Sequence, residues 1–121
     1  MSKRTGPTNP QLKELITELK ELAGREKVKL WARVAHDLEK PTRKRREANI
    51  SKINKHIKAS EIALVPGKVL GMGQLDKKLI VAGFKFSKEA KEKIDKAGGK
   101  AISIDELMKE NPKGKKIRII G

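Results

Sequence analysis

Between Pro41 and Ala48 the chain offers a hydrophobic core nothing: Thr42, Arg43, Lys44, Arg45, Arg46 and Glu47 are all polar. No helix or strand can bury a face of such a run, so this 121-residue chain must build its core from the segments on either side. The run heads a longer basic segment. Residues 40–58 hold eight Lys or Arg against one acid, net +7 of the chain's +15. Residues 1–10 add +2 and residues 113–121 add +4, whereas 11–39 are neutral and 59–112 carry only +2. Evenly spread charge would only keep a chain soluble. Charge collected in three segments reads as a face for a polyanion, provided the fold unites them.

The segment before the run reads as a helical hairpin. Leu12, Leu15, Ile16, Leu19, Leu22 and Ala23 share one helical face over residues 10–23; Asn9 is placed to cap it, Pro10 suits its first position, and Gly24 is placed to end it in a left-handed conformation. A second helix over about 26–39 turns Val28, Trp31, Val34, Ala35 and Leu38 inward and ends before Pro41. After the run, Ile50, Ile53 and Ile57 recur at helical spacing while Lys52, Lys55 and Lys58 share another face. That predicts a short helix docked by isoleucines and basic outward, entered from an extended Asn49-Ile50 and capped by Ser51. A strand fits less well, because alternation fails at Ile53-Asn54.

From Ala59 onward the chain alternates strands with short helices. A strand over Glu61–Val65 is expected to stop at a Pro66-Gly67 turn, followed by the apolar but glycine-rich Val69–Gly73. Lys78–Phe86 is the best strand in the chain. Ser87 opens a helix with Ala90, Ile94 and Ala97 inward, closed by Gly98-Gly99, and residues 100–102 form another short strand. Ser103-Ile104-Asp105-Glu106 is a capping box ahead of a helix ended by Asn111-Pro112, and Ile117–Ile120 form a last strand. The expectation is one mixed α/β domain: basic tail (1–9), helical hairpin (10–39), basic arm and short helix (40–58), and an α/β body with a basic C-terminus (59–121).

The chemistry available is narrow. The chain has no Cys, so disulfides, thiolate catalysis and Cys-type zinc sites are excluded. No apolar run approaches the ~18 residues of a membrane span, and Met1–Pro7 has no apolar stretch behind its charges, so no signal peptide and no membrane partner are expected. Gly71-Met72-Gly73 lacks the third glycine of a dinucleotide loop, where Asp76 stands; a tight loop near backbone phosphates, beside Lys68, is the better reading. His36 lies near the inward stripe of its helix and reads as a packed or boundary residue. His56 sits among lysines, a poor place for a cation. The acids, such as Glu14, Glu18 and Glu21 or Glu89 and Glu92, have lysines at pairing distance in sequence. Ser51, Ser87 and Ser103 are better caps than nucleophiles. No catalytic residue, cofactor, metal or small-molecule substrate is expected.

Arg43, Arg45, Arg46 and Arg118 supply planar forks that match phosphate oxygens. Asn49, Lys52, Lys55, His56 and Lys58 carry the patch onto an ordered element, which a merely solvated charge run has no reason to do. Aromatics amount to only 2 %, and Trp31, Phe84 and Phe86 all sit in apolar patterns that point to the core. Base stacking on aromatic platforms is therefore not the expected mode. Recognition rests on phosphate, 2′-OH and shape, which suits folded RNA.

The run Leu38–Ile53 closely resembles the signature of the ribosomal protein eighteen-e family, found in the large ribosomal subunit of archaea and eukaryotes and related to bacterial ribosomal protein fifteen. Further matches run in order along the chain: Lys3–Thr8, Val65–Gly71, Phe86-Ser87, Ala97–Gly99 and Asn111–Gly114. The short length resembles the archaeal form. The resemblance implies a cytoplasmic structural component of the large subunit, held among neighbouring ribosomal proteins, that binds large-subunit ribosomal RNA and supports translation. It also implies an irregular β-β-α superhelical arrangement in the body. Carried over by position, the RNA-facing residues are Lys40, Arg43, Lys44, Arg45, Arg46 and Lys52, with Asn49 beside them, and Lys3 and Arg4 at the basic start. Lys68, Lys113, Lys115, Lys116 and Arg118 join them as basic residues of the body and C-terminus. Gly114-Lys115-Lys116 departs from the family pattern, where smaller or uncharged residues are common. Without the resemblance, the residues alone leave a free-standing architectural protein on DNA or RNA as the alternative.

Overall fold

A computed structural model describes residues 10–40, 46–58 and 60–120. Two helices, α1 (Pro10–Glu26) and α2 (Lys29–Glu39), form the expected hairpin. Leu12, Ile16, Leu19 and Leu22 face Trp31, Val34, Ala35 and Leu38 in one core cluster, and a Lys20–Glu39 ion pair of 2.7 Å ties the helices outside it. Gly24 does not end α1. The helix runs through it, and Lys27 takes the left-handed conformation (φ 58°) while the Val28 amide donates to Ala23 O at 3.2 Å. That six-residue closure satisfies a last-turn carbonyl and lets Val28 pack back on the core, so α2 starts at Lys29 rather than near 26. The capping residue expected at Asn9 lies outside the described residues. His36 is exposed: one step past Ala35 the helix has turned away from the Trp31–Leu38 stripe. The following Asp37 takes a buried place instead, with Lys40 Nζ 3.3 Å away.

The rest is a parallel sheet flanked by helices: β1 (Arg46–Asn49), α3 (Ile50–His56), β2 (Ile62–Leu70), β3 (Ile80–Phe86), α4 (Lys88–Lys96), β4 (Lys100–Ser103), α5 (Ile104–Glu110) and β5 (Ile117–Ile119). The fold is mixed α/β, as expected. The order is β1-β2-β3-β4, with β5 on β2 as well. α1, α2 and α5 cover one face around Leu64, Ala82 and Ile102. α3 and α4 cover the other, where Ile50, Ile53, Ile57, Ala90 and Ile94 meet Ala63, Val65, Val69 and Val81. Ser87 caps α4 by accepting from the Ala90 amide at 3.1 Å, Gly98 (φ 84°) follows its end, and the Ser103–Glu106 capping box is fully formed.

Two expectations fail here. Ser51 is not the cap of α3 but its second residue, and Ile50 is already helical. Asn49 takes the cap position, while its side-chain oxygen accepts from the Met72 amide instead of from the helix. Pro66-Gly67 is not a turn either, because β2 passes straight through it. β5 pairs with Ile62–Leu64 and β1 with Gly67–Leu70, both along the same edge of β2. Pro66 falls in the gap between them, where its missing N–H breaks no ladder. Towards β3 the register shifts between Val65 and Lys68, three steps of β2 opposing two of β3. A proline is tolerated within a sheet at such a bulge.

Parallel strands require a crossover, usually a helix of a dozen or more residues. Between β2 and β3 there is no helix, only residues 71–79, which run back along α3. Their backbone polar groups need partners that a helix would have supplied internally. The partners come from α3 and α4, and they shape the surface around both helices.

Candidate nucleic-acid interface

α3 delivers the expected basic face. Ile50, Ile53 and Ile57 are fully buried, and Lys52, Lys55, His56 and Lys58 are exposed. The crossover stiffens this helix along its whole length. The Ser51 amide donates to Met72 O at 3.1 Å and the Asp76 amide to Asn54 Oδ1 at 3.2 Å. Lys77 Nζ reaches the end of α3, donating to Asn54 O at 2.7 Å and Ile57 O at 2.8 Å, carbonyls near the helix C-terminus where a cation is favoured. On the other side Lys93 Nζ donates to Gly71 O at 2.7 Å and Gly73 O at 2.6 Å. Gly71-Met72-Gly73 is thus held from both sides by α3 and α4. Its carbonyls and the Met72 amide are already engaged, and Lys68 stands on the β2 strand, exposed and in register with Lys85 of β3.

The fold also unites two of the three basic segments, and Glu61 is the joint. Its carboxylate accepts from the Lys58 amide at 2.9 Å and from Arg118 Nε and Nη2, both at 2.9 Å. The Arg118 fork, then the Lys58 amide, hold the Glu61 carboxyl down at about 2. One residue on, the Ile62 amide donates to Lys116 O at 2.7 Å. The C-terminal cluster therefore begins where the basic helix ends. Arg118 and Arg46 stand opposite Ala63 and Gly67 on the same edge of β2, a separation of about 13 Å along an ideal strand.

The cations expected to bind differ in what the fold already asks of them. Arg118 is engaged by Glu61, and Lys113 Nζ lies 2.7 Å from Glu26, whose carboxyl it holds below the usual range. Lys40 is half-buried beside Asp37. Asn49 holds Met72. Lys52, Lys55, Lys68, Lys115 and Lys116 are exposed and have no ion-pair partner among the described residues. Lys116 adopts φ 58° and Lys115 is clasped through its backbone by the Asn111 side chain, at 2.9 and 3.1 Å, so the C-terminal turn is preset rather than loose. Lys3, Arg4, Arg43, Lys44 and Arg45 lie outside the described residues, and Arg46 is placed by its backbone at the start of β1.

Glu61, Lys77, Lys93 and Asn54 shape this surface without standing out in the sequence, because their partners are distant in it. On the other face of the sheet the charge is mixed, with acids gathered around Glu18. Loss of hydration, with Asp105 and Glu14 close by, raises the Glu18 carboxyl above its usual range. The basic face therefore belongs to α3, the shared edge of β2 and the C-terminal turn.

A family model described as "Ribosomal protein 60S L18 and 50S L18e" matches residues 1–121. The chain is similar to proteins named large ribosomal subunit protein eL18. It is 45 % identical to that of Methanococcus maripaludis over 118 residues, 98 % of each chain. To that of Methanothermobacter thermautotrophicus it is 44 % identical over 120 residues, 99 % of each chain. To that of Sulfurisphaera tokodaii it is 46 % identical over 120 residues, 99 % of this chain and 98 % of the other.

Proposed function

The chain belongs to the family of ribosomal protein 60S L18 and 50S L18e, and on that premise we propose that it is a non-catalytic constituent of the large ribosomal subunit that binds large-subunit ribosomal RNA through phosphate and shape contacts. The observation that carries this reading is the junction at Glu61, which joins the exposed lysines of α3 to the C-terminal cluster along one edge of the sheet. Arg43, Lys44 and Arg45, just before β1, and Arg46, its first residue, extend the same edge in sequence, and Lys3 and Arg4 add to the positive end of the chain. Glu14, Glu18 and Asp105 gather on the opposite face, so the phosphate lattice meets α3 rather than α1. The protein works in the cytoplasm, inside the ribosome and among its proteins, where it neutralises phosphates and holds RNA elements together in support of translation.

Sedimentation tests this. In cell lysate the protein should travel with the large subunit at near one copy per particle. Free protein, or protein on chromosomal DNA, refutes it. With deproteinised large-subunit RNA, log affinity should fall with log salt by about 0.7–0.9 for each phosphate neutralised, and Lys55→Ala should flatten the slope by about one such step. Equal affinity for random duplex DNA would favour a general architectural protein instead.

A further inference from the structure

The loop Gly71-Met72-Gly73 is built to hold one apolar side chain outward. It lies between the first turns of two helices: a Cβ on Gly73 would run into the Ser51 side chain of α3, and one on Gly71 would come within 2.7 Å of Glu89 of α4. Gly73 also has φ 99°, open to glycine and strained for other residues. Both positions therefore need glycine. The polar backbone is turned inward: Lys93 takes the carbonyls of Gly71 and Gly73, the Ser51 amide takes that of Met72, and Asn49 takes the Met72 amide. What remains for a partner is the Met72 side chain, 70 % exposed, on a loop fixed from both sides. Ile80, at 39 %, is the other large exposed hydrophobic among the described residues, and it stands at the opposite end of β3.

We propose that Met72 is an RNA-contacting residue that packs its thioether against the face of an unstacked base. The inference rests on the ribosomal RNA reading above. The surroundings argue for RNA over a protein neighbour: the two helix turns that hold the loop carry exposed Lys52 and Lys88, and the Glu89 carboxylate beside Gly71 is answered by Lys93 Nζ at 3.4 Å. A polyanion is drawn to that setting, and an apolar wedge on a rigid loop between cations is what inserts against bases. A flexible, polarizable methionine side chain conforms to a base face without needing an aromatic platform. It supplies the part of recognition that phosphate contacts cannot, since phosphates carry no base identity.

The test uses the full chain and deproteinised large-subunit ribosomal RNA over a series of salt concentrations. Met72→Ala should weaken binding about tenfold at every salt, the loss expected on uncovering one buried aliphatic side chain, and leave the salt slope unchanged. Met72→Lys should bind no better than Met72→Ala. Independently of any variant, bound RNA should slow peroxide oxidation of Met72 severalfold, read by mass spectrometry, with the buried Met108 as the slow reference. Tighter binding by Met72→Lys with a steeper salt slope would mean that only charge matters here, and overturns the proposal. Protection of Met72 in the intact subunit but not by naked RNA would assign it to a protein neighbour, and overturns it too. If the unaltered protein shows no preference for ribosomal RNA over duplex DNA, the ribosomal RNA reading itself fails. Normal RNA preference with an indifferent Met72 sinks this inference alone.

Discussion

Replacing Lys77 with methionine removes an ammonium and keeps most of the stem. In the folded chain that ammonium donates to Asn54 O and Ile57 O at 2.7 and 2.8 Å, joining the helix-free crossover to the end of α3. Hydrogen bonds to a charged donor contribute about 1.5–3 kcal/mol each. Two things reduce the sum. Ordering a lysine costs up to about 2 kcal/mol of rotamer freedom, and Lys77 is only half-buried, so water reaches the freed carbonyls. The net expectation is a loss of about 1–3 kcal/mol, which for a chain of this size lowers Tm by about 4 °C per kcal/mol.

Urea unfolding should show a lower midpoint with an unchanged m-value. Hydrogen exchange should localise the loss to the Ile57 and Asp76 amides, which bond within α3 and from the crossover to it. RNA affinity should fall because the basic face of α3 loosens, yet the salt slope should stay as it was, since Lys77 meets carbonyls and not phosphate. Lys55→Ala is the mirror case: no change in stability, and a slope shallower by about 0.7–0.9. A Lys77→Met protein that melts like the unaltered one, or that loses a full step of salt slope, would refute the assignment of Lys77 to the fold.

Glu61 gives a pH signature. Its carboxyl sits at about 2 in the folded chain against an ordinary 4.5, so its contribution is present above 4.5 and is lost as pH falls from there towards 2. Thermal melts of the unaltered chain and of Glu61→Gln should therefore differ at pH 6 and converge across that window. Trp31→Phe removes the indole N–H that donates to Pro112 O at 2.8 Å and should cost about 0.5–1.5 kcal/mol in urea, since Trp31 is buried but the half-buried Pro112 carbonyl stays within reach of water. Gly99→Ala should lower stability by about 3 kcal/mol or prevent folding, because the new methyl meets the Leu79 carbonyl, a backbone atom with no rotamer to escape into.

Much of the fold was legible because it is written in local patterns. The isoleucine spacing of α3, the Ser87 cap and the Ser103–Glu106 box concern neighbours within a turn or two, and each formed as read. The failures have a common physical origin in partners far along the chain. Pro66-Gly67 looks like a turn until β5 and β1 are seen to divide the edge of β2 around it. Gly24 looks like a helix end, yet the last turn of α1 is held from outside by Lys113 on Glu26. Phe84 and Phe86 pack against the two core clusters, as their apolar pattern implies, but stay half-buried. For the site, the sequence located the charge but not its joint. Nothing near Glu61 announces that it receives Arg118 from 57 residues away.

That joint changes how the net charge should be used. Taking +15 as a count of phosphate contacts treats every cation as available, but the fold already occupies many of them. Lys20 answers Glu39, Lys109 answers Asp105, Lys113 answers Glu26, Arg118 answers Glu61, and Lys77 and Lys93 answer backbone carbonyls. A cation that keeps its carboxylate on binding releases no counterion, and one that trades it for a phosphate leaves a carboxylate facing the RNA. The salt slope should therefore count the exposed lysines of α3, Lys68 and the Lys115-Lys116 turn, together with whichever arginines of the 43–46 arm meet phosphate. It should fall well short of the slope that the net charge alone would give. Neutralising Glu61 as Glu61→Gln makes the distinction visible: with its fork released, Arg118 becomes available, and the slope should steepen by about one step. An unchanged slope in that variant would mean that the C-terminal end of the basic edge does not touch phosphate, and that RNA is held by α3 and the arm alone.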